Sequence, residues 1–286
     1  MFGGLGNQLF QYCFGKYLAN ILETSVKYDV QTEILLRNFT PRELELNAFC
    51  LPIIIASKEE IGKMKYFSNG LLEKVERRLT KRFPTLRSTY FVESHLHGII
   101  QTENIKDNCY YEGYWQSYYY PMTDKFLINN IDLSNIKVDS EQCNIVSEIN
   151  NTNSISIHIR RGDYISIKVN TKIFHTCDLE YYYNAIAFFN LKFKNPRYFV
   201  FTDDVIWATN NLLAENLTFV SGNQPSIDMY LMSLCKHNII ANSTFSWWGA
   251  WFNSNDDKII IAPKQWYVGK QNENLKCLIL DKWIQM

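Results

Sequence analysis

The second half of the chain alternates short apolar segments with segments of helical periodicity, and this alternation limits the possible folds most strongly. Strands alternating with helices of this size predict βαβ units and a parallel sheet, in which ligands bind at the carboxyl ends of the strands. We therefore expect an α/β fold. The predicted strands are 155–159, 197–202, 217–220, 238–241 and 258–262, and the predicted helices are 179–193, 205–213, 226–235 and 245–253.

The first half of the chain has a less regular pattern. Apolar residues recur at helical spacing from Leu9 to Leu22, and residues 57–83 read as helical and strongly charged. Short strands are predicted at 25–28 and 109–115. Residues 150–153 are polar and turn-prone, so we place a linker there. The expected domains are residues 1–150 and residues 151–286, with the last helix packing back on the N-terminal domain.

Composition excludes several classes of protein. The 286 residues are 47% hydrophobic, which is enough for a large core and two domains. The 29 basic and 29 acidic residues balance, which argues against a nucleic-acid partner. The 7 cysteines form no CxxC pair, which indicates reduced thiols rather than a disulfide framework or a zinc site. No segment has the length of a membrane-spanning helix or the pattern of a leader, so we expect a cytoplasmic protein.

Two adjacent arginines follow a buried strand in the segment His158–Tyr164, which reads HIRRGDY. Burying two cations is costly unless an anion or hydrogen-bonding partners compensate, and guanidinium groups bind phosphate oxygens in bidentate fashion. Arg160 and Arg161 are therefore predicted to form a diphosphate clamp. The alternative is a solvated arginine pair held in structural salt bridges.

Two further segments place small and polar residues at helix starts. Gly3-Gly4-Leu5-Gly6-Asn7 precedes the first helix, where backbone amides and the helix dipole favour an anion. Leu9 stands where the GxGxxG motif has its third glycine, so a dinucleotide-binding fold is rejected. The alternative role of Asn7 is that of a helix cap.

The segment from Asn242 to Ser246 ends a strand and opens a helix that contains three tryptophans. Its hydroxyl and amide groups can bind phosphate oxygens while the aromatic side chains fill the core. Ser243, Thr244 and Ser246 are the candidate phosphate ligands, with simple N-capping as the alternative.

Asp203 and Asp204 form an adjacent acidic pair after a predicted strand. Adjacent carboxylates point to opposite faces if the strand continues, and no further carboxylate or histidine cluster accompanies them. We therefore expect no metal site and no metal requirement.

These segments occur in the order GGLGNQLFQY, EGYWQS, HIRRGDY, FTDD and ANSTFSWWGAW, at residues 3–12, 112–117, 158–164, 201–204 and 241–251. Together they closely resemble the α-1,2-fucosyltransferases of glycosyltransferase family 11, over nearly the whole chain. The resemblance implies a GT-B type fold of two facing Rossmann-like domains with a cleft between them. It also implies GDP-β-L-fucose as donor, no metal, and inversion at the anomeric carbon. Residues 1–150 are then expected to form the acceptor-side domain and residues 151–286 the GDP-fucose-binding domain.

The resemblance assigns roles to individual residues. Asp204 is implied to bind the guanine base and His158 to flank it, although a lone histidine at a strand end is often structural. Gly6 and Asn7 are implied to face the cleft near the reacting sugar. In the expected mechanism Arg161 and Arg160 neutralise the leaving diphosphate. Asp163 is the candidate general base, with His175 on the following loop as the other candidate.

The expected reaction is transfer of L-fucose to the 2-hydroxyl of a terminal β-galactoside in the synthesis of O-antigen or another surface polysaccharide. Residues 71–83 would form a basic amphipathic helix, which predicts peripheral contact with the inner face of the cytoplasmic membrane and suits a lipid-linked acceptor. The alternative for this segment is an ordinary surface helix.

Several questions stay open at this point. Another GDP-sugar transferase, of the protein or chitooligosaccharide fucosyltransferase type, and a catalytically inactive carbohydrate- or nucleotide-binding protein are the alternative functions. The pattern does not determine the acceptor's penultimate sugar, its linkage, the source glycan or the oligomeric state. Only Met1 and Phe2 precede the glycine loop, so the presence of a first strand before it is also open.

Overall fold

The structure is a computed structural model that describes residues 1–30, 43–65, 88–93, 97–123 and 136–286, with the single positions 72, 75, 78, 79, 82, 83 and 133. The chain divides into two compact units. The first comprises Met1–Asp132 and Asn274–Leu278, and the second comprises Leu133–Glu273 and Ile279–Met286. The segment at 150–153 that was predicted as a linker lies inside the second unit, at the junction of a helix with a strand.

The first unit contains helix α1 (Leu5–Leu22), helix α2 (Lys58–Lys65), strands β1 (Tyr90–Val92) and β2 (Tyr110–Glu112), and helix α3 (Tyr119–Thr123). Short 3-10 helices lie at Glu45–Phe49 and Thr102–Asn104. Strands β1 and β2 pair in parallel, with Tyr90 opposite Tyr110.

Two strand predictions in this unit need correction. Residues 25–28 form only a parallel bridge between Tyr28 and Ile55. The strand predicted to reach residue 115 ends at Glu112. It ends there because the amides of Tyr114 and Trp115 donate to the Glu93 carboxylate, and Trp115 has a left-handed φ of 55°.

Helix α1 forms much of the core of the first unit. Its residues from Leu5 to Leu18 are almost all buried, so the helix is enclosed around most of its circumference rather than on one stripe. The ring of Phe14 stacks on Trp115 at 3.8 Å between centroids and 7° between planes. The helix predicted from the apolar spacing is confirmed, but it begins at Leu5, so Leu5, Gly6 and Asn7 of the predicted glycine loop belong to its first turn.

The second unit is built on a parallel sheet of six strands in the order β5-β4-β3-β6-β7-β8. The strands are β3 (Asn153–Ile159), β4 (Pro196–Thr202), β5 (Leu217–Val220), β6 (His237–Ile239), β7 (Ile260–Ala262) and β8 (Ile284–Gln285). The helices are α4 (Ser140–Asn151), α5 (Gly162–Ser166), α6 (Leu179–Lys192), α7 (Val205–Asn211), α8 (Pro225–Leu234) and α9 (Thr244–Trp251). The predicted α/β class with a parallel sheet is confirmed.

Strand β3 shows how the sequence pattern produces this unit. Ile155, Ile157 and Ile159 lie in one buried cluster with residues of α6 and with Val200 of β4. The intervening residues of β3 are also buried, and Ser156 accepts a hydrogen bond of 2.7 Å from the Asn238 side chain. A strand buried on both faces is typical of a central position in a parallel sheet.

The sequence pattern did not predict three elements of the second unit, namely helices α4 and α5 and strand β8. Helix α5 has only 5 residues, little more than one turn. Helix α4 is polar, and a capping box between Asp139 and Gln142 stabilises its start. Strand β8 has only two residues, too few for a recognisable alternation.

The membrane-contact prediction falls on a segment, residues 71–83, that lies largely outside the described residues. Its described apolar positions, Leu72, Val75, Leu79 and Phe83, are exposed. Among the described residues, no helix combines the length and apolar character needed to cross a bilayer.

Candidate active site

The candidate site lies at the carboxyl edge of the second unit's sheet. The strand order is that of a doubly wound sheet in which the winding direction reverses between β3 and β6, and ligands bind at such a switch point. The loops that follow these two strands touch. The Tyr164 hydroxyl donates to the Asn242 carbonyl at 3.0 Å, and the rings of His158 and Phe245 lie 5.5 Å apart. The HIRRGDY and ANSTFS segments therefore build one site.

Arg160 lies between two carboxylates. Its Nη2 is 2.5 Å from Asp163 Oδ1, and its Nη1 is 2.8 Å from Asp203 Oδ2. The guanidinium also lies 5.4 Å from the centroid of the Tyr164 ring. Burial lowers the pKa of Arg160, but the charges of Asp203 and Asp163 outweigh this effect and raise it overall. The group is a fixed cation whose orientation is set by its neighbours.

Arg161 is held along one edge and one face. Its Nε is 3.2 Å from Asp204 Oδ2, and its guanidinium carbon lies 3.6 Å from the centroid of a Trp207 ring. Within the described part of the chain, its two terminal nitrogens have no hydrogen-bonding partner. The planar group is thus oriented with its donor end available, as the clamp prediction requires.

Asp204 has the structural role of a helix cap. Its Oδ1 accepts from the Trp207 amide at 3.1 Å at the start of α7, and its own amide donates to the Thr202 hydroxyl at 3.0 Å. Because its other oxygen pairs with Arg161, both oxygens already have protein partners. Contact between Asp204 and a guanine base stays a prediction.

His158 is 4% exposed, and its Nδ1 has no hydrogen-bonding partner among the described residues. Burial lowers the pKa of its imidazole to about 4, with Arg160 adding to this effect and Asp203 opposing it. The imidazole is therefore neutral at pH 7. A buried ring nitrogen without a protein partner is unusual for a structural histidine, and contact of His158 with a nucleotide base stays a prediction.

The three hydroxyl-bearing residues at the start of helix α9 differ in their contacts and in their exposure. Ser243 caps the helix by accepting from the Phe245 amide at 3.3 Å. Ser246 is 1% exposed, and its hydroxyl donates to the carbonyls of Ala241 and Ser243 at 3.4 and 3.3 Å. Thr244 is half-buried. Capping is thus confirmed for Ser243, and of the three Thr244 is the most accessible to a phosphate.

Sequence reasoning missed Asp228, in the first turn of α8. Helix α8 follows β5, so its start lies at the same edge of the sheet as the arginines. Burial raises the pKa of Asp228 to about 6, although a hydrogen bond from Asn223, at 2.8 Å, opposes the shift. A raised pKa at such an edge marks a candidate functional carboxyl group. The acidic residue directly after a strand–helix turn was the available signal.

No group of three or more potential ligands able to hold a metal ion occurs among the residues that the structure describes. The carboxylates of Asp163, Asp203 and Asp204 are instead paired with guanidinium groups.

Gly6 and Asn7 belong to the first unit, where they form part of a separate cluster. Helix α1 begins at Leu5 with Gly4 as its cap, so the capping alternative for Asn7 is wrong. Asn7 Oδ1 accepts from the Gln116 side chain at 2.9 Å, which joins the glycine loop to the EGYWQS segment. A side chain at Gly3, where φ is 79°, would collide with Asn7 Nδ2.

A buried ionic cluster includes Glu112, the first residue of the EGYWQS segment. Lys65 is 1% exposed, and its Nζ lies 3.3 Å from Glu112 Oε2 and 3.9 Å from Asp29 Oδ2. The Tyr110 hydroxyl donates to Asp29 at 2.8 Å, and the Tyr90 hydroxyl donates to Glu112 at 2.9 Å. A buried cation with two carboxylates is stable only as a complete hydrogen-bonded set, so this cluster fixes the position of β2.

Paired arginines at the switch point of a parallel sheet, beside a helix start, are typical of α/β proteins that bind nucleotide phosphates. The family model "Glycosyl transferase family 11" matches residues 1–286. The chain belongs to this family and is a glycosyltransferase, as its motifs predict.

Relatives with known names agree with this assignment. An alpha-1,2-colitosyltransferase of Escherichia coli is 34% identical, with 99% of this chain and 96% of the relative covered. The O-antigen biosynthesis glycosyltransferase WbnK of Escherichia coli is 32% identical, covering 99% and 98%. The galactoside 2-alpha-L-fucosyltransferase SEC1 of Bos taurus is 28% identical, over 34% of this chain and 28% of the relative.

A solved structure also aligns with the chain. It is the crystal structure of the glycosyl transferase family 9 from Veillonella parvula DSM 2008, with a TM-score of 0.39 and 10% identity over 92% of this chain and 78% of the other. This similarity is too weak to carry an argument.

Proposed function

We propose that this glycosyltransferase transfers L-fucose, with inversion, from GDP-β-L-fucose to the 2-hydroxyl of a terminal β-galactoside in O-antigen synthesis. The observation that carries the proposal is the oriented pair Arg160 and Arg161 at the switch point, beside the start of α9. Relatives named for α-1,2 transfer, for O-antigen biosynthesis and for galactoside fucosylation support the reaction class.

In this proposal the acceptor oxygen attacks the anomeric carbon on the side opposite the departing GDP. Negative charge then grows on the β-phosphate, and the terminal nitrogens of Arg161 stabilise it together with Arg160 and the amides at the start of α9. The guanidinium groups supply the positive charge that a metal provides elsewhere, so no metal is required. His158, neutral and with an unpaired Nδ1, contacts the nucleotide base.

Asp163 is proposed as the base that accepts the proton of the acceptor hydroxyl. Its Oδ1 binds Arg160, which orients the carboxylate and leaves Oδ2 to receive the proton. The attacking hydroxyl lies on the face of the sugar opposite the diphosphate, so this role requires Asp163 Oδ2 to reach that face while Oδ1 stays on Arg160.

A second candidate donor is GDP-colitose. Colitose is fucose without its 3-hydroxyl, so the same nucleotide site would serve both sugars. The relative named as an alpha-1,2-colitosyltransferase, 34% identical over 99% of this chain, favours this alternative. The two candidates differ only in whether the site contacts a 3-hydroxyl.

The test is a donor panel with the purified full-length protein and lactose, N-acetyllactosamine and type 1 galactosides as acceptors, with products identified by mass and NMR. We expect an α-1,2-fucosylated product and a ratio of kcat/KM for GDP-fucose over GDP-colitose above one. A ratio below one would assign colitose as the donor sugar. Binding of GDP without any transfer would support the inactive nucleotide-binding alternative, and transfer only from a UDP-sugar would overturn the proposal.

A further inference from the structure

We infer that Asp203 is a positioning residue for the diphosphate clamp, defined as Arg160 and Arg161. Neither the family resemblance nor the acidic pair itself gives Asp203 a role. The inference rests on the proposed function, because it assumes that the clamp binds the diphosphate of the donor. Asp203 acts on the ligand through the groups that it holds.

The two oxygens of Asp203 have separate partners. Oδ1 accepts from the backbone amides of Arg161 and Gly162, at 2.9 and 3.1 Å, where α5 begins. Oδ2 pairs with Arg160 Nη1 at 2.8 Å. One carboxylate thus fixes the backbone that carries the clamp and also the direction of one guanidinium. Asp163 also pairs with Arg160, but this contact involves only the Arg160 side chain and not the backbone of the clamp.

The register of the sheet explains why these groups meet. Strands β3 and β4 run in parallel with Ile159 opposite Thr202. Continuing that register past both strand ends places Arg160 opposite Asp203 and Arg161 opposite Asp204. Two of the three ion pairs of the clamp, Arg160–Asp203 and Arg161–Asp204, therefore join residues that directly follow two neighbouring strands, and their geometry exists before a ligand arrives.

Gly162 makes the close approach of Asp203 possible. A Cβ atom built at Gly162 would lie 2.7 Å from Asp203 Oδ2, closer than any normal contact. That oxygen is the one that binds Arg160. Replacing Gly162 by alanine should therefore push Asp203 Oδ2 away from Arg160 while the Asp203 carboxylate is kept. This variant tests the loss of the Asp203–Arg160 contact independently of Asp203→Asn.

The experiment is a set of binding cycles with the full-length protein. Affinities for GDP and GMP are measured by calorimetry for wild type, Asp203→Asn, Gly162→Ala, Arg160→Ala and the Asp203→Asn/Arg160→Ala double variant. Asparagine keeps an oxygen for the two amides and removes the charge that binds Arg160. Glu148→Gln is the matched control, since Glu148 pairs with Arg197 at the opposite end of β4.

Loss of a charged contact to the clamp should weaken GDP binding by about tenfold or more in Asp203→Asn and in Gly162→Ala, and leave GMP affinity within about twofold of wild type. In the Arg160→Ala background, Asp203→Asn should add no further loss. Glu148→Gln should bind both nucleotides as wild type does. The ratio of GDP to GMP affinity isolates the effect on the second phosphate, which a merely structural role would not change.

Equal losses of GDP and GMP affinity, or a full additional loss in the Arg160→Ala background, would overturn the positioning role. Unchanged GDP affinity in both Asp203→Asn and Gly162→Ala would overturn it as well. The same cycles are run in parallel with UDP and UMP. Wild-type protein that binds UDP and not GDP would refute the proposed donor, and the UDP cycle would then decide the role of Asp203 separately.

Discussion

The side chain of Arg161 shows why the clamp needs arginine rather than any cation. One edge of its guanidinium pairs with Asp204 and one face lies on the Trp207 ring, so only a planar group can satisfy both contacts and still present two donors. A lysine ammonium is a point charge on a flexible stem, and it would keep the charge but lose the orientation.

We expect Arg161→Ala to lower kcat/KM for transfer by more than about a hundredfold and Arg161→Lys by at least about tenfold, as the loss of charged, bidentate hydrogen bonds implies. Initial-rate kinetics with the fold checked by circular dichroism provide the measurement. Arg197→Lys is the control, because Arg197 pairs with Glu148 through the same Nε but lies at the start of β4. Near-normal activity of Arg161→Lys would remove the argument for a clamp.

Asp204 combines a cap, an ion pair and a predicted contact with guanine. Asparagine caps helices as well as aspartate does, so Asp204→Asn removes the charge and keeps the cap. We expect this variant to bind GDP about 1 to 3 kcal/mol more weakly by calorimetry, the range for a lost charged hydrogen bond. The matched control is Asp178→Asn, since Asp178 caps α6 by the same contact. Unaltered GDP affinity would leave Asp204 with a purely structural role.

Asp228 should make stability depend on pH. Its folded pKa of about 6 exceeds the ordinary value of 3.8, so the folded state holds the proton more tightly than the unfolded state does. Stability therefore falls as pH rises from about 4 to 6, by up to about 3 kcal/mol. Asp228→Asn should be more stable than wild type at pH 8 and equal to it near pH 4, as measured by urea unfolding across this range. A pH-independent difference would contradict the buried-carboxyl explanation.

At the scale of elements, the predictions succeeded where structure depends on local pattern. Strands β3, β4 and β5 and helices α6, α8 and α9 begin and end within about two residues of their predicted bounds, as boundary uncertainty allows. Each has an apolar run bounded by turn residues. The predicted reach of strand β2 was wrong because the Glu93 carboxylate, which is distant in sequence, ends it.

Helix α9 anchors the predicted phosphate ligands through its aromatic residues. Trp248 is fully buried, whereas Trp251 in the same helix is only partly buried. We expect Trp248→Ala to lower the free energy of unfolding by about 3 to 5 kcal/mol because it leaves a large cavity, and Trp251→Ala to cost less. Chemical denaturation measures both. An equal loss in free energy of unfolding for Trp248→Ala and Trp251→Ala would contradict this explanation by burial.

The candidate site also contains features that a local sequence pattern identifies and features that depend on distant parts of the chain. The motif residues Arg160, Arg161 and His158 could be selected from the sequence because charged and polar groups at a strand end are unusual. The pattern also singled out Asp203 and Asp204 but not their pairing with the arginines, because that pairing depends on the register of β3 with β4, which no local pattern specifies. The inward turn of the Ser246 hydroxyl likewise depends on the helix that forms around it.

At the scale of the whole molecule, the proposed mechanism assigns stabilisation of the leaving diphosphate to guanidinium groups rather than to a metal ion. We expect the initial rate of transfer in excess EDTA to equal the rate without chelator, because Arg160, Arg161 and the α9 amides stabilise the leaving group. Product GDP can sequester divalent ions, so only initial rates are decisive. A rate that fell to background and returned with manganese or magnesium would make Asp203 and Asp204 metal ligands instead.

The path of the chain between the two units has a consequence for folding. The chain leaves the second unit at Asn274, contributes a short segment to the first unit, and returns at Ile279 to supply β8. The placement of β8 in the sheet is therefore coupled to the docking of that segment on the first unit, and until β8 pairs, β7 is an open edge able to pair with other chains. Incomplete docking of residues 274–278 thus leaves the sheet of the second unit open to aggregation.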